Sequence, residues 1–232
     1  MPSLSASFNV NSAAHDSSTL TTSSFTPASG DVIVVKAVTE SSAQSMDTPT
    51  DTQGNTYTLR ATDTTFNHCW VGLWTAVAGS ATNMTVSVTR SFSGWHSIVV
   101  EDWANAALAG TPATNGTKTG TGTPSTTLTT TQDNSALSWC NGDWSANDPS
   151  GRTYDPTSGT PTEDGLHDTH LDPFDYVAYY AWQPCGTAGS QTFGLTAPGS
   201  QTWSMLGIEI LHVGGGGGGS VDSNQFGRFP WQ

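Results

Sequence analysis

The densest group of side chains able to hold a cation runs Glu163-Asp164-Gly165-Leu166-His167-Asp168-Thr169-His170-Leu171-Asp172-Pro173-Phe174-Asp175. Carboxylate oxygens set close together suit Ca²⁺, and imidazoles add ligands for a transition metal. Asp164, His167, Asp168, His170 and Asp172 are therefore the candidate ligands. Their spacing fits neither an EF-hand loop nor a helical HExxH pair. The segment reads better as a solvated acidic loop punctuated by Gly and Pro, with no bound metal and no cofactor expected. Hydrolysis would need a nucleophile with its base, or a pair of catalytic carboxylates. No GxSxG occurs in the chain, and the expectation is a protein that is not an enzyme.

A second concentration of interactive residues lies at the far end. Gly214 to Gly219 form an unbroken glycine run, the residue type that costs most entropy to order, and so read as a linker. Beyond it, Phe226, Arg228, Phe229 and Trp231 combine aromatic rings with a guanidinium, the types that anchor protein interfaces. The chain thus divides into a folded body over residues 1–212, a linker over 213–220 and an attachment segment over 221–232. Partner proteins, further copies of the same chain among them, are expected at that segment.

The whole chain carries a net charge of −13, with six Lys and Arg against 19 Asp and Glu. Such a balance repels phosphate backbones and anionic lipid surfaces, so neither nucleic acid nor membrane is an expected partner. The first residues, MPSLSASFNVNSAAHDSS, have no basic start and no apolar core, and no secretory signal is read there. Cys69, Cys140 and Cys185 are odd in number and widely spaced. No CxxC pair suggests zinc, and the three thiols read as small buried hydrophobes, with one disulfide of unassigned pairing as the alternative outside a cell.

The elements that must position these groups read as extended throughout. Short apolar or Thr-rich stretches alternate with clusters of Gly, Pro, Asn, Asp and Ser, and Met84-Thr85-Val86-Ser87-Val88 shows the two-residue period of a half-buried strand. Gln53-Gly54-Asn55 suits a tight turn. Thr111 to Thr131 is low in complexity and reads as a flexible loop or an edge strand. The sequence shows no repeat of fixed period. About a dozen short strands without helical periodicity predict an all-β fold, an antiparallel two-sheet β-sandwich that is jelly-roll-like. Most of the nine tryptophans are expected in its core, since a chain poor in Leu and Ile needs their area. A set of them exposed on one face would instead make a sugar-stacking platform.

Three stretches in fixed order carry a resemblance: Ser24-Phe25-Thr26-Pro27-Ala28-Ser29-Gly30-Asp31-Val32-Ile33-Val34-Val35, then Asp51-Thr52-Gln53-Gly54-Asn55-Thr56-Tyr57-Thr58-Leu59-Arg60-Ala61, then Val71-Gly72-Leu73-Trp74-Thr75-Ala76. With the closing strand from Trp203 to Leu211 and the polyglycine tract, this order resembles β-sandwich domains of minor tail and other virion proteins of phages infecting actinobacteria, over roughly residues 17–212. The resemblance implies a virion structural protein, tail-associated or capsid-decorating, made in the host cytoplasm, and brings no catalytic residues. The alternative function is a carbohydrate-binding adhesin module that recognises host cell-surface glycans.

Overall fold

The computed structural model describes residues 1–16, 18–41, 44–63, 69–108, 114–143, 148–169 and 176–213, with the backbone alone for 114–119. As expected, the fold is all-β and sandwich-like, and no α-helix occurs among the described residues. The strands are β1 (Ser3–Asn11), β2 (Thr19–Thr21), β3 (Val32–Thr39), β4 (Thr50–Asp51), β5 (Thr58–Asp63), β6 (Trp70–Val77), β7 (Val86–Thr89) and β8 (His96–Ala104). After the short β9 (Ala106–Ala107) come β10 (Thr114–Gly122), β11 (Ser125–Thr129), β12 (Ala136–Asp143), β13 (Thr153–Tyr154), β14 (Thr162–Asp168), β15 (Val177–Pro184), β16 (Ser190–Ala197) and β17 (Gln201–His212).

These strands form two units of identical topology. The first unit has a main sheet ordered β1-β8-β3-β6-β5 and a small sheet ordered β2-β7-β4. The second has a main sheet ordered β10-β17-β12-β15-β14 and a small sheet ordered β11-β16-β13. Counted from its own first strand, each unit reads 1-8-3-6-5 with 2-7-4, the interleaving of a jelly roll. The repeat extends to a defect. The register of β5 on β6 slips between Leu59 and Ala61 opposite Trp74 and Leu73, and that of β14 on β15 slips between Glu163 and Gly165 opposite Ala181 and Tyr180. A β-bulge therefore sits at the same place in both units, with Arg60 and Asp164 as the extra residues.

The two main sheets pack face to face. Val34, Val38, Val71, Leu73, Val99 and Trp103 from the first meet Cys140, Ala178, Tyr180, Leu206, Ile208 and Ile210 from the second. The outer face of each main sheet is covered by its own small sheet. Ile33, Val35, Ala37, Trp70 and Trp74 pack under Leu20, Val86 and Val88, and Leu137, Trp139, Tyr179 and Met205 pack with Leu128, Phe193 and Leu195. The result is four layers, where the sequence reading foresaw two. This explains why central strands lose their alternation: β3, Val-Ile-Val-Val-Lys-Ala-Val-Thr, is buried at all eight positions because both of its faces are covered. In the small sheet β7 keeps the two-residue period, with Val86 and Val88 inward.

Two sequence expectations are refined or corrected. The Thr111–Thr131 run supplies an edge strand, β10, and then β11. The first part of the acidic stretch expected to be a loop, Glu163 to Asp168, lies in β14, the edge strand of the second main sheet, and its residues 170–175 lie outside the described residues. The β14 sequence has one β-branched residue, Thr162, and the strand is held by pairing with β15 and by inward-facing groups described below. Trp70, Trp74, Trp103, Trp139 and Trp203 are buried, and Trp95 and Trp182 partly so. The three thiols are buried and free.

Candidate functional site

The centre of the molecule is ionic. Lys36 stands in the middle of β3 on the face turned toward the second unit. Its Nζ donates to Glu101 Oε1 at 2.8 Å and to Asp164 Oδ2 at 2.9 Å and Oδ1 at 3.2 Å. Glu101 Oε2 accepts from Ser138 Oγ at 2.6 Å and Trp103 Nε1 at 2.9 Å, and Ser7 Oγ donates to Asp164 Oδ2 at 3.3 Å. Lys36 and Glu101 are wholly buried and Asp164 nearly so. Burial works against the charge on Lys36, but Asp164 and Glu101 outweigh it and hold the ammonium above its ordinary pKa. Burial, joined by Glu101, pushes Asp164 up to about 8 against the pull of Lys36. Burial and Glu101 thus favour the protonated form of Asp164, and Lys36 favours its charged form. The set ties β3 and β8 of the first unit to β12 and the bulge of β14 in the second, and its groups bond one another. Its chemistry is that of a joint.

The outer face of the second main sheet is different. Trp139, Asn141 and Asp143 follow one another on one face of β12. Asn141 lies opposite Tyr179 on β15 and Met205 on β17, and Asp143 lies opposite Trp203. Facing cross-strand residues have Cβ atoms about 4.5–5.5 Å apart, so these side chains form one patch. Trp139 has Tyr154 at 5.8 Å and Phe193 at 6.1 Å between ring centroids. Several polar atoms here have no hydrogen-bond partner: both amide atoms of Asn141, Nε1 of Trp139 and of Trp203, the hydroxyl of Tyr179, and Gln201 Oε1. Asn141, Trp139, Tyr179 and Gln201 are fully buried. A buried amide without a partner costs about 1–3 kcal/mol on mutational scales.

The first unit supplies an internal reference. Aligning the bulges pairs Ala181 with Trp74 and Tyr180 with Leu73; the register then pairs Asn141 with Ala37, Tyr179 with Gly72 and Met205 with Ile98. In the first unit this patch is dry. A Cβ on Gly72 would fall 2.1 Å from the Trp70 ring, so that indole occupies the place where the second unit has Tyr179. At the Asn141 position itself the first unit is apolar, while its equivalents of Asp143 and Trp203 are Thr39 and His96, both buried and hydrogen-bonded.

The predicted ligand cluster is split up. Asp164 turns inward to Lys36. His167 is also inward, its ring edge-on to Trp95 at 5.7 Å and Tyr176 at 5.3 Å. Burial, reinforced by nearby His96, lowers its pKa to about 4, and it is neutral at pH 7. Asp168 is exposed at the end of β14. His170 and Asp172 lie outside the described residues, and among the described residues no three His, Cys, Asp or Glu converge as a metal site. Phe226, Arg228, Phe229 and Trp231, with the glycine run, also lie outside the described residues. The sequence reading missed the ionic joint, although a lone lysine in Val32-Ile33-Val34-Val35-Lys36-Ala37-Val38 was its signal. It also missed Asn141, whose only signal was an amide inside the run Leu137-Ser138-Trp139-Cys140 to Asp143.

No protein-family model, curated protein or solved structure matches this chain.

Proposed function

We propose that the chain is a virion structural protein, a tail-associated or capsid-decorating component that displays a rigid body on the particle surface and attaches through residues 221–232. The observation that carries this reading is the form of the body. Two jelly-roll units share one core and are locked by a buried ionic joint, so the molecule suits display as one stiff piece. The last described residue, Val213, is tied by its amide to the Asn105 carbonyl at 3.1 Å, so the end of β17 is fixed to the inter-unit connection. The resemblance of the three sequence stretches to virion β-sandwich domains supports the same reading. The test is production of the full chain, and of a chain lacking Val221–Gln232, in cells assembling the particle. The truncated chain folds with an unchanged melting temperature and is absent from purified particles; its normal incorporation would refute the attachment role.

The alternative, a carbohydrate-binding module that recognises cell-surface glycans, needs aromatic rings exposed on one face, whereas Trp70, Trp74, Trp103, Trp139 and Trp203 are buried.

A further inference from the structure

We infer that Lys36 and Asp164 join after folding, Nζ to Cγ, in a side-chain amide bond that links the two units covalently, with Glu101 as the catalytic base. The bond does not depend on where the body is displayed. Its reacting groups are already in place. Lys36 Nζ lies 2.9 Å from Asp164 Oδ2 and 3.2 Å from Oδ1. The carboxyl carbon between those oxygens is therefore within the about 3–3.5 Å of a near-attack arrangement. Glu101 Oε1 accepts from the same Nζ at 2.8 Å, and Glu101 Oε2 is fixed by Ser138 Oγ and Trp103 Nε1. An amine, a carboxyl group and a second carboxylate to carry protons complete the set for condensation, with no co-reactant.

The environment assigns the roles of the two acids. Burial and Glu101 favour the protonated form of Asp164, whose hydroxyl can leave as water. Burial opposes the charge on Glu101, but Lys36, with hydrogen bonds from Asp164, Lys36 and Ser138, holds its pKa below the ordinary value. Asp164 is thus the acyl partner and Glu101 the base. Starting with Asp164 protonated, Glu101 takes one proton from the Lys36 ammonium. The freed amine attacks Asp164 Cγ and the N–C bond forms. Glu101 passes its proton to the departing hydroxyl, the C–O bond breaks and water leaves. Glu101 then takes a second proton from the nitrogen. The products are a neutral amide, one water and a protonated Glu101; nothing is oxidised or reduced. Lys36 rests as an ammonium, so the event is slow and happens once per chain. The ionic set is the state in which folding leaves the three groups, and the bond forms from it afterwards.

The surroundings favour the product. Lys36 and Glu101 have no side-chain exposure and Asp164 has 3%. Val34, Val38, Val99, Trp103 and Tyr180 belong to the core around them, with the Tyr180 ring centroid 5.9 Å from Nζ. A dry apolar setting prefers a neutral amide to separate charges and keeps water from reversing the step. The second unit places Cys140 where the first has Lys36 and Ile208 where it has Glu101. Apolar side chains therefore close this interface at the equivalent positions, and the charged set is not a packing requirement of the fold.

The experiment is intact-mass spectrometry of the full chain, kept folded at neutral pH for days and denatured only for measurement, followed by protease digestion. The parent chain weighs less than its sequence by one water, and digestion yields a branched peptide joining the Lys36 and Asp164 segments. Lys36→Arg retains the full sequence mass, and Glu101→Gln loses water far more slowly or not at all. A parent chain that keeps its full sequence mass and gives no branched peptide overturns the inference, and this decisive measurement needs no variant to fold. A branch from Lys36 to Glu101 overturns the assignment of Asp164 as the acyl partner. Water loss by Glu101→Gln at the parent's rate overturns the role of Glu101.

Discussion

At the scale of single residues, the charges between the two main sheets are instructive. Lys36, Glu101 and Asp164 lie between two apolar sheet faces, and removing one partner leaves the others buried without compensation. Lys36→Met is expected to destabilise the fold by about 3–5 kcal/mol at neutral pH, and combining it with Glu101→Gln and Asp164→Asn to recover most of that loss, read by denaturant unfolding. The pH dependence has two opposed sources. Asp164 is raised to about 8 in the fold, so the folded state holds a proton that the unfolded chain releases near its ordinary carboxyl pKa. Its contribution is fully present below that value and is lost as pH rises toward 8. Asp164→Asn is expected to flatten that decline relative to the parent; Asp102, raised by burial and neighbouring Asp31 to about 6, titrates within the same window in both proteins. His167 acts in the other sense. Its pKa is lowered to about 4, so stability present above the ordinary imidazole pKa is lost as pH falls through about 6.5 to 4. His167→Gln is expected to remove on the order of 1–3 kcal/mol of that acid loss, seen as a smaller drop in melting temperature between pH 7 and pH 4.

At the scale of elements, the bulge on β14 shows how local geometry serves the core. By inserting Asp164, the bulge turns that carboxylate inward to Lys36 while keeping Gly165 and His167 directed at the first unit. Gly165 is needed by space alone: a Cβ there would meet Val99 Cγ2 at 2.5 Å, with Asn9 Cγ at 3.1 Å and Tyr180 Cδ2 at 3.2 Å. Gly165→Ala is expected to force the main sheets apart locally at a cost of about 1–3 kcal/mol, measured as a lower denaturant midpoint with an unchanged slope. The equivalent position in the first unit already carries Ala61, so substitution there by Gly should not mirror the effect. The central strands were legible in the sequence because β-branched and aromatic runs such as Val32–Val38 need no context. β14 was not, since Glu163-Asp164-Gly165 reads as a turn until the partner of Asp164, far away at Lys36, is known. The Asn141 patch was hidden for the same reason: nothing in the run from Leu137 to Asp143 says which alternate residues face the small sheet and which face the other unit.

At the scale of the whole molecule, the duplication explains both what sequence revealed and what it concealed. Strand content was visible. The twofold repetition was invisible because equivalent positions hold unlike residues, Lys36 with Cys140 and Gly72 with Tyr179, and because the connections differ in length. What the units share is strand order, register and one bulge, properties of pairing rather than of composition. Each main sheet offers one face to its twin and one to its own small sheet. Divergence at the shared face is constrained by the ionic joint, while the two outer faces are free to differ. The polar patch under the second small sheet is where that freedom is visible.

β17 runs twelve residues; its middle, from Trp203 to Ile208, lies between β12 and β10, and its last two residues, Leu211 and His212, pair with β9. A load applied beyond Val213 therefore enters the middle of a sheet. Pulled along its own axis, β17 must slide past two neighbours at once, with many bonds sharing the force together. An edge strand would unzip one bond at a time. Force applied at the end of this strand is therefore shared among many hydrogen bonds at once.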